Sequence, residues 1–426
     1  MSRAAAMGAG LCLALLAGVA VATGTGDDAP ADPIAAYFAR MRAMTTPFAE
    51  FRFMTGPEVA ANPTWKQIAG QTLAASLATL GRPNDAIRSF PIHDRRAAPD
   101  DLPTPATHTA QPAVDWIVDR AADLRVVMVN EAHHRPETRQ LTLALLGPLR
   151  ARGFTHLAVE ALADPPLPKG YPTLDTGYYT REPVFAELLR SALRLGFVLV
   201  PYEPASTPGQ TQQQRETGMA ATLAALLRAQ PDAKVLVHAG YGHIGKTAGS
   251  QPGGADPMAL EFMRLSGLPI LAVDQTRLTW EDGAAADRLA RTFDVQAPAV
   301  LVERGARSTW RGEPERFDAS VLLPAVDAGA LRPGWLTLGG RRQSVPLDLT
   351  PCIGHLPCLA EARYANEGDD AIPADQFVLL ADGETDTPLY LAPGQYRLRL
   401  TGPDDTVLAD RTLDVPAHRP SPSDTP

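Results

Sequence analysis

Five short apolar runs, each closed by an ionisable or strongly polar residue, constrain this chain more than any other feature. Val126–Val129 runs into Asn130-Glu131-Ala132-His133-His134, and Leu157–Val159 into Glu160. Val198–Val200 runs into Tyr202-Glu203, Val235–Val237 into His238 and Gly242-His243, and Ile270–Val273 into Asp274. Helical spacing fills the intervals, near 136–151, 182–195, 212–229 and 256–266. Strands alternating with helices of that length predict an α/β fold, a mainly parallel sheet covered by helices on both faces. In such a sheet the carboxyl ends of the strands share one edge, where ligands bind. Carboxylates and imidazoles spread from Glu131 to Asp274 are therefore expected to converge on one cleft.

With 426 residues the chain exceeds one ordinary core, so two or three domains are expected. Residues 1–22 read as a signal peptide: Arg3 supplies the positive end, an uncharged Ala/Leu/Val/Gly-dominated stretch follows, and Ala20-Val21-Ala22 offers an A-x-A cleavage site. The stretch approaches membrane-spanning length, but its Ala and Gly content makes it weakly hydrophobic, so cleavage is the expectation over an uncleaved anchor. A periplasmic or secreted location follows, with no stable membrane span in the mature chain. Residues 23–110 read as a polar linker and a helical lead-in, in which 80–87 resembles the turn of a single tetratricopeptide repeat and 91–112 is a Pro-rich connector. The catalytic unit is placed at 111–285, a mixed and then antiparallel β region at 286–416, and a disordered tail at 417–426. Cys352 and Cys358 are the two cysteines of the mature chain, and a local disulfide between them suits an oxidising compartment. Formal charge is −9 with no basic run, which argues against nucleic acid as a partner. A small-molecule or peptide substrate remains, and the oligomeric state is left open.

Among the strand-end residues, Glu131, His133 and His134 suit either general acid–base work or a borderline divalent metal. Adjacent side chains on an extended segment face opposite ways, so one of His133 and His134 is expected in the cleft, and which one is open. Glu160 ends a strand that should be fully buried, where a carboxylate is costly without a partner, a metal or a catalytic role. Gly240-Tyr241-Gly242-His243-Ile244-Gly245 spells G-x-G-x-x-G, but the Gly/Pro-rich stretch after it places no helix to receive a pyrophosphate. Those glycines instead let the backbone turn and present His243, while His238 is read as a buried strand histidine. Arg215, near a helix start, is a candidate clamp for an anionic group. No serine nucleophile elbow is present and both mature cysteines lie outside this unit, so covalent catalysis is disfavoured.

Taken together, Asn130-Glu131-Ala132-His133-His134, Glu160, Arg215 with Met219-Ala220, and Gly240-Tyr241-Gly242-His243 resemble the superfamily of erythromycin esterases, ChaN-like haem-binding proteins and the Tiki and TraB metalloprotease-like proteins. The resemblance covers roughly residues 111–275. Together with the signal peptide, it implies an exported, metal-assisted hydrolase of ester or peptide bonds, with Glu131, His133, Glu160 and His243 around a divalent metal and Arg215 stabilising substrate charge. The alternative it implies is a non-catalytic haem- or iron-binding protein, with Tyr241 and Tyr202 joining the histidines as ligands. Asn130 departs from the pattern by standing where the family usually has Gly, and the turn is expected to survive because Asn tolerates left-handed backbone.

Overall fold

The computed structural model describes residues 32–417 apart from Pro208 and Arg307. The expected signal peptide, and all but the first residue of the expected tail, lie outside that range. The chain divides into two compact units. The first takes described residues 32–40, 90–166 and 188–326; the second takes 41–89, 167–187 and 327–417. Helices α1 (Pro33–Arg42), α2 (Pro47–Thr55), α3 (Pro57–Ala60), α4 (Pro63–Thr79) and α5 (Pro83–Ser89) open the chain.

The first unit is built on β1 (His108–Pro112), α6 (Ala113–Arg120), β2 (Val126–Glu131), α7 (Arg139–Ala151), β3 (His156–Val159), α8 (Pro183–Arg194) from Leu188 onward, β4 (Val198–Pro201), α9 (Gln212–Ala229), β5 (Val235–Gly240), α10 (Met258–Ser266), β6 (Leu271–Asp274), α11 (Ala284–Thr292), β7 (Ala299–Glu303) and β8 (Ala319–Leu322). Each of the five apolar runs forms a strand. One eight-stranded sheet results, in the order β1-β7-β8-β6-β2-β5-β3-β4. The run from β8 to β4 is parallel, and β7 is antiparallel to both β8 and β1. β5 enters between β2 and β3, so the strand order reverses there, the arrangement that opens a crevice at strand carboxyl ends.

Period-2 alternation assigns the two faces. Val126 and Met128 of β2 join Val235, Val237 and Ala239 of β5 in a core with Met219, Leu223 and Leu227 of α9 and Met258 and Phe262 of α10. The i, i+4 spacing of the α9 residues puts one apolar stripe on the sheet, each leucine contributing about 1.5–3 kcal/mol. The intervening positions, Glu131 of β2 and His238 of β5, turn to the other face, where Arg139 and Thr142 of α7 meet them.

Two sequence expectations change here. The 91–112 connector contains a strand, β1, whose polar His-Thr-Ala-Gln-Pro pairs with β7 at the sheet edge. An edge strand exposed on much of its surface needs no apolar alternation and so leaves no periodic signal. The α/β unit also continues past 285, because β7 and β8 pair onto the same sheet.

The second unit carries a four-stranded antiparallel sheet, β11-β10-β13-β14, and a two-stranded one, β12-β9. Here β9 is Gln343–Val345, β10 Cys358–Tyr364, β11 Asp375–Leu379, β12 Leu389–Leu391, β13 Gly394–Thr401 and β14 Val407–Val415. Cys352 and Cys358 are disulfide-bonded and fully buried in its core, as expected. Helices α2 to α5 of the lead-in belong to this unit, and Phe48, Phe51, Leu77 and Leu80 pack with Leu359 and Val378 of the β module. A cavity of about 260 Å³ lies in the same unit, lined by residues that include Phe48, Arg181, Arg363, Asp370 and Arg399, and none of the strand-end residues. No helix among the described residues is long and apolar enough to cross a membrane.

Candidate functional site

The carboxyl ends of β2, β3 and β5 gather the buried acids and imidazoles. Glu131 is 1% exposed, and every neighbour that offsets its burial is a donor. Arg139 Nε donates to its Oε2 at 2.5 Å, His133 Nδ1 lies 2.7 Å from Oε1, and His238 Nε2 lies 3.3 Å from Oε2. Burial alone would raise its pKa, but the charges and hydrogen bonds of Arg139, His133 and His238 hold it well below the usual carboxylate range. Since a carboxylate accepts, the His133 proton toward Glu131 sits on Nδ1, which leaves the basic Nε2 on the opposite side of the ring.

That opposite side meets Gly240 and Glu160. A Cβ on residue 240 would lie 2.6 Å from both Cε1 and Nε2 of His133 and 3.0 Å from Oε2 of Glu160. Only glycine leaves room for the imidazole to lie against the backbone there. Glu160 accepts from the Gly240 N–H through Oε2 and from Arg215 Nη2 at 2.9 Å through Oε1. Burial pushes its pKa up, while His243, Arg215 and His133 pull it down further, to about 2.

Arg215 is engaged on three sides: Nη2 on Glu160, Nε on Glu203 at 2.6 Å, and Nη1 3.0 Å from His243 Nε2. It is thus an internal counter-ion. The expected clamp on a substrate carboxylate would need donors that this arrangement has already committed. Its place on α9 follows from a capping box, Thr211 and Gln214 reciprocally bonded, which starts the helix just before it.

His243 is presented by the turn after β5, with Nδ1 within 2.9 Å of Glu216, whose carboxylate also caps α10 through Met258 N–H. Its Nε2 is 3.5 Å from Glu160 Oε1. Burial lowers its pKa, but the Glu216 and Glu160 carboxylates raise it more than Arg215 and burial depress it, and the net direction is upward. The Arg215 contact suits neutral Nε2 and the Glu160 contact suits protonated Nε2, so the proton on this ring decides which is made.

The open choice between the two histidines resolves by direction. His133 joins the carboxylates, whereas His134 stacks on Phe90, ring centroids 3.7 Å apart and 4° from parallel, with Nδ1 3.0 Å from the Tyr241 hydroxyl. Burial, then the charges of Arg135 and His133, hold His134 well below its ordinary pKa, so it is neutral. Asn130 is extended backbone within β2, and the left-handed residues fall instead on Ala161 after β3 and Tyr241 after β5. Its amide ties strand ends together: Nδ2 donates to Tyr241 O and Asp274 Oδ1, and Oδ1 accepts from Gln275 N–H. A glycine at 130 would remove those bonds.

The implied metal and haem sites do not fit these side chains. Among the described residues no group of three or more His, Cys, Asp or Glu is arranged to hold a metal ion. The oxygens of Glu131 and Glu160 that would ligate a metal are committed to Arg139, Arg215, His133 and the Gly240 N–H. For iron or haem, Tyr202 is fully buried within the α9 core. Burial and then the Glu160 and Glu203 charges raise its phenol well above the usual value, opposing the phenolate an iron ligand needs. The Tyr241 hydroxyl faces His134.

Three participants escaped the sequence reading: Arg139, Glu216 and the His238 contact to Glu131. Arg139 had a signal, since it falls on the same helical face as Thr142, Leu146 and Leu149, and a charge on a buried stripe demands a partner.

Neither a known family model nor a curated protein matches the sequence. The solved structure of HopBA1, a type III effector, is similar at 20% identity over 40% of this chain and 86% of that one, with a TM-score of 0.27. A likeness of that strength carries no argument about fold or function.

Proposed function

We propose that the strand-end cluster is the active site of an exported hydrolase of ester or peptide bonds, of the erythromycin esterase and ChaN-like type in fold. The observation that carries this is the Glu131–His133 pair: a carboxylate fixed by Arg139 orients an imidazole at 2.7 Å and turns its basic nitrogen toward Glu160 and Gly240. In that geometry the neutral form of His133 accepts a proton at Nε2 from water as the water oxygen attacks the carbonyl carbon. Collapse of the tetrahedral adduct breaks the ester or amide bond. The leaving oxygen or nitrogen takes a proton from His133 or from His243, whose raised pKa keeps it charged further into the neutral range. Arg139, Arg215, Glu131 and Glu216 hold the two rings in place. The described disulfide accords with an oxidising compartment, and hence with the export read from residues 1–22.

The test is turnover of ester and peptide panels by His133→Ala, His134→Ala and Glu131→Gln. His133→Ala should lose about 10²–10⁴-fold in kcat, the usual contribution of a general base. Glu131→Gln should also lose activity, by leaving the ring in the wrong tautomer, while His134→Ala keeps turnover at reduced thermal stability. Equal turnover in wild type and His133→Ala would overturn the assignment.

A further inference from the structure

Beside His243 the same sheet edge holds a second group of polar side chains, opposite in character to the acid cluster. A Cβ built on Gly242 would meet Arg277 Nη2 at 3.0 Å, Gln251 Nε2 at 3.0 Å and Arg316 Nη2 at 3.5 Å, so three donors from three separate segments converge on one small volume. Gln251 Nε2, Arg277 Nε, and Arg316 Nε and Nη2 are all buried from solvent without an acceptor. Buried donors without acceptors are costly, and two guanidinium groups so close repel each other. Burial, then the Arg277 charge, indeed lower the Arg316 pKa.

The acids nearby do not fill these donors. Glu313 lies 2.9 Å from Arg316 Nη1, on the far edge of the guanidinium from the open Nε and Nη2. Asp274 spends Oδ1 on Asn130 and Thr276 and Oδ2 on the Arg277 backbone N–H. What remains is a fork of N–H groups around a glycine that admits a close approach, a donor set whose charge and geometry favour an oxyanion.

We propose that Gly242, Gln251, Arg277 and Arg316 form a binding seat for an oxyanion, the phosphate or carboxylate group of a ligand. The seat stands on these residues alone. That the anion is part of the substrate, making the substrate an acid or phosphate ester, rests additionally on the hydrolase reading. His243 follows Gly242 directly in the chain, so a bound anion here would set the ligand beside the Glu216–His243 pair.

The experiment is thermal denaturation and isothermal titration of the full mature chain with inorganic phosphate and with acetate, at constant ionic strength against chloride. The expected result is saturable binding and a raised Tm in wild type, weakened about tenfold or more in Arg277→Met/Arg316→Met. Arg316→Lys, which keeps the charge but loses the fork, should show intermediate weakening and guards against a double variant that fails to fold. A response to phosphate alone assigns a phosphoryl group, and a response to both anions a general oxyanion seat. Absence of any response in wild type, or an equal response in folded variants, overturns the proposal. His133→Ala separates the two readings: turnover unchanged with phosphate binding intact removes the hydrolase and keeps the seat.

Discussion

Four buried or half-buried arginines crowd the strand ends, and they divide into two kinds. Arg139 and Arg215 are saturated, the first on Glu131 and the His133 carbonyl, the second on Glu160, Glu203 and His243. Arg277 and Arg316 keep donors open. A saturated buried cation holds a structure together and positions its neighbours; an open one pays for itself only when a ligand arrives. The same residue type therefore reads as scaffold on one side of His243 and as receptor on the other.

The comparison breaks most visibly at Arg139. With side-chain exposures of 1% and 2%, the Arg139–Glu131 pair has no access to water. Arg139→Met leaves a carboxylate buried beside two imidazoles, and removal of one partner from such a pair costs about 3–5 kcal/mol. Urea denaturation should show the midpoint falling accordingly, with turnover lost as well, because the carboxylate then claims a proton or pulls His133 out of line. A change below about 1 kcal/mol would show that Arg139 is no scaffold.

The second break is by acid. Glu160 is held at about 2 against an ordinary carboxylate value of 4.5, so its ionised form favours the folded state. A depressed carboxyl contributes stability that is present above the ordinary value and lost as pH falls through the folded one. The window is therefore pH 4.5 down to about 2. A shift of that size corresponds to about 3 kcal/mol. His134, neutral through burial, works in the same direction, since charging it below its ordinary pKa opposes folding. Thermal melts across this window should fall steeply for wild type and more gently for Glu160→Gln, which has no proton to take up. Parallel slopes in the two proteins would mean that the strain of acidification lies elsewhere.

How far this division was visible in the sequence follows from what each residue must do. The strands and their polar ends were legible because burial on both faces enforces continuous apolar runs, and a carboxylate such as Glu160 at the end of one must be compensated. Tertiary direction was not legible. Which of His133 and His134 turns inward depends on the pleat and on Phe90, which sequence places in another segment. The oxyanion fork was hidden for the same reason: Gln251, Arg277 and Arg316 come from three loops, and nothing in their spacing announces that Gly242 brings them together. β1 was missed because an exposed edge strand obeys no apolar rule.

The smallest expected effect is the sharpest test of the contrast. Arg277→Met removes a buried Nε without an acceptor and relieves its repulsion with Arg316, while Asp274 keeps its bonds to Asn130 and Thr276. Replacing a donor that has no acceptor by an apolar group of similar length is close to neutral or mildly stabilising, and the Arg277 charge that the Asp274 carboxylate loses offsets part of that gain. In chloride buffer the denaturation midpoint should stay within about 1 kcal/mol of wild type, in contrast to Arg139→Met. In phosphate buffer the wild type should gain stability and the variant should not, so the order of the two proteins depends on the anion present. A loss in chloride as large as that at Arg139 would place Arg277 with the scaffold arginines and close the distinction between the two kinds.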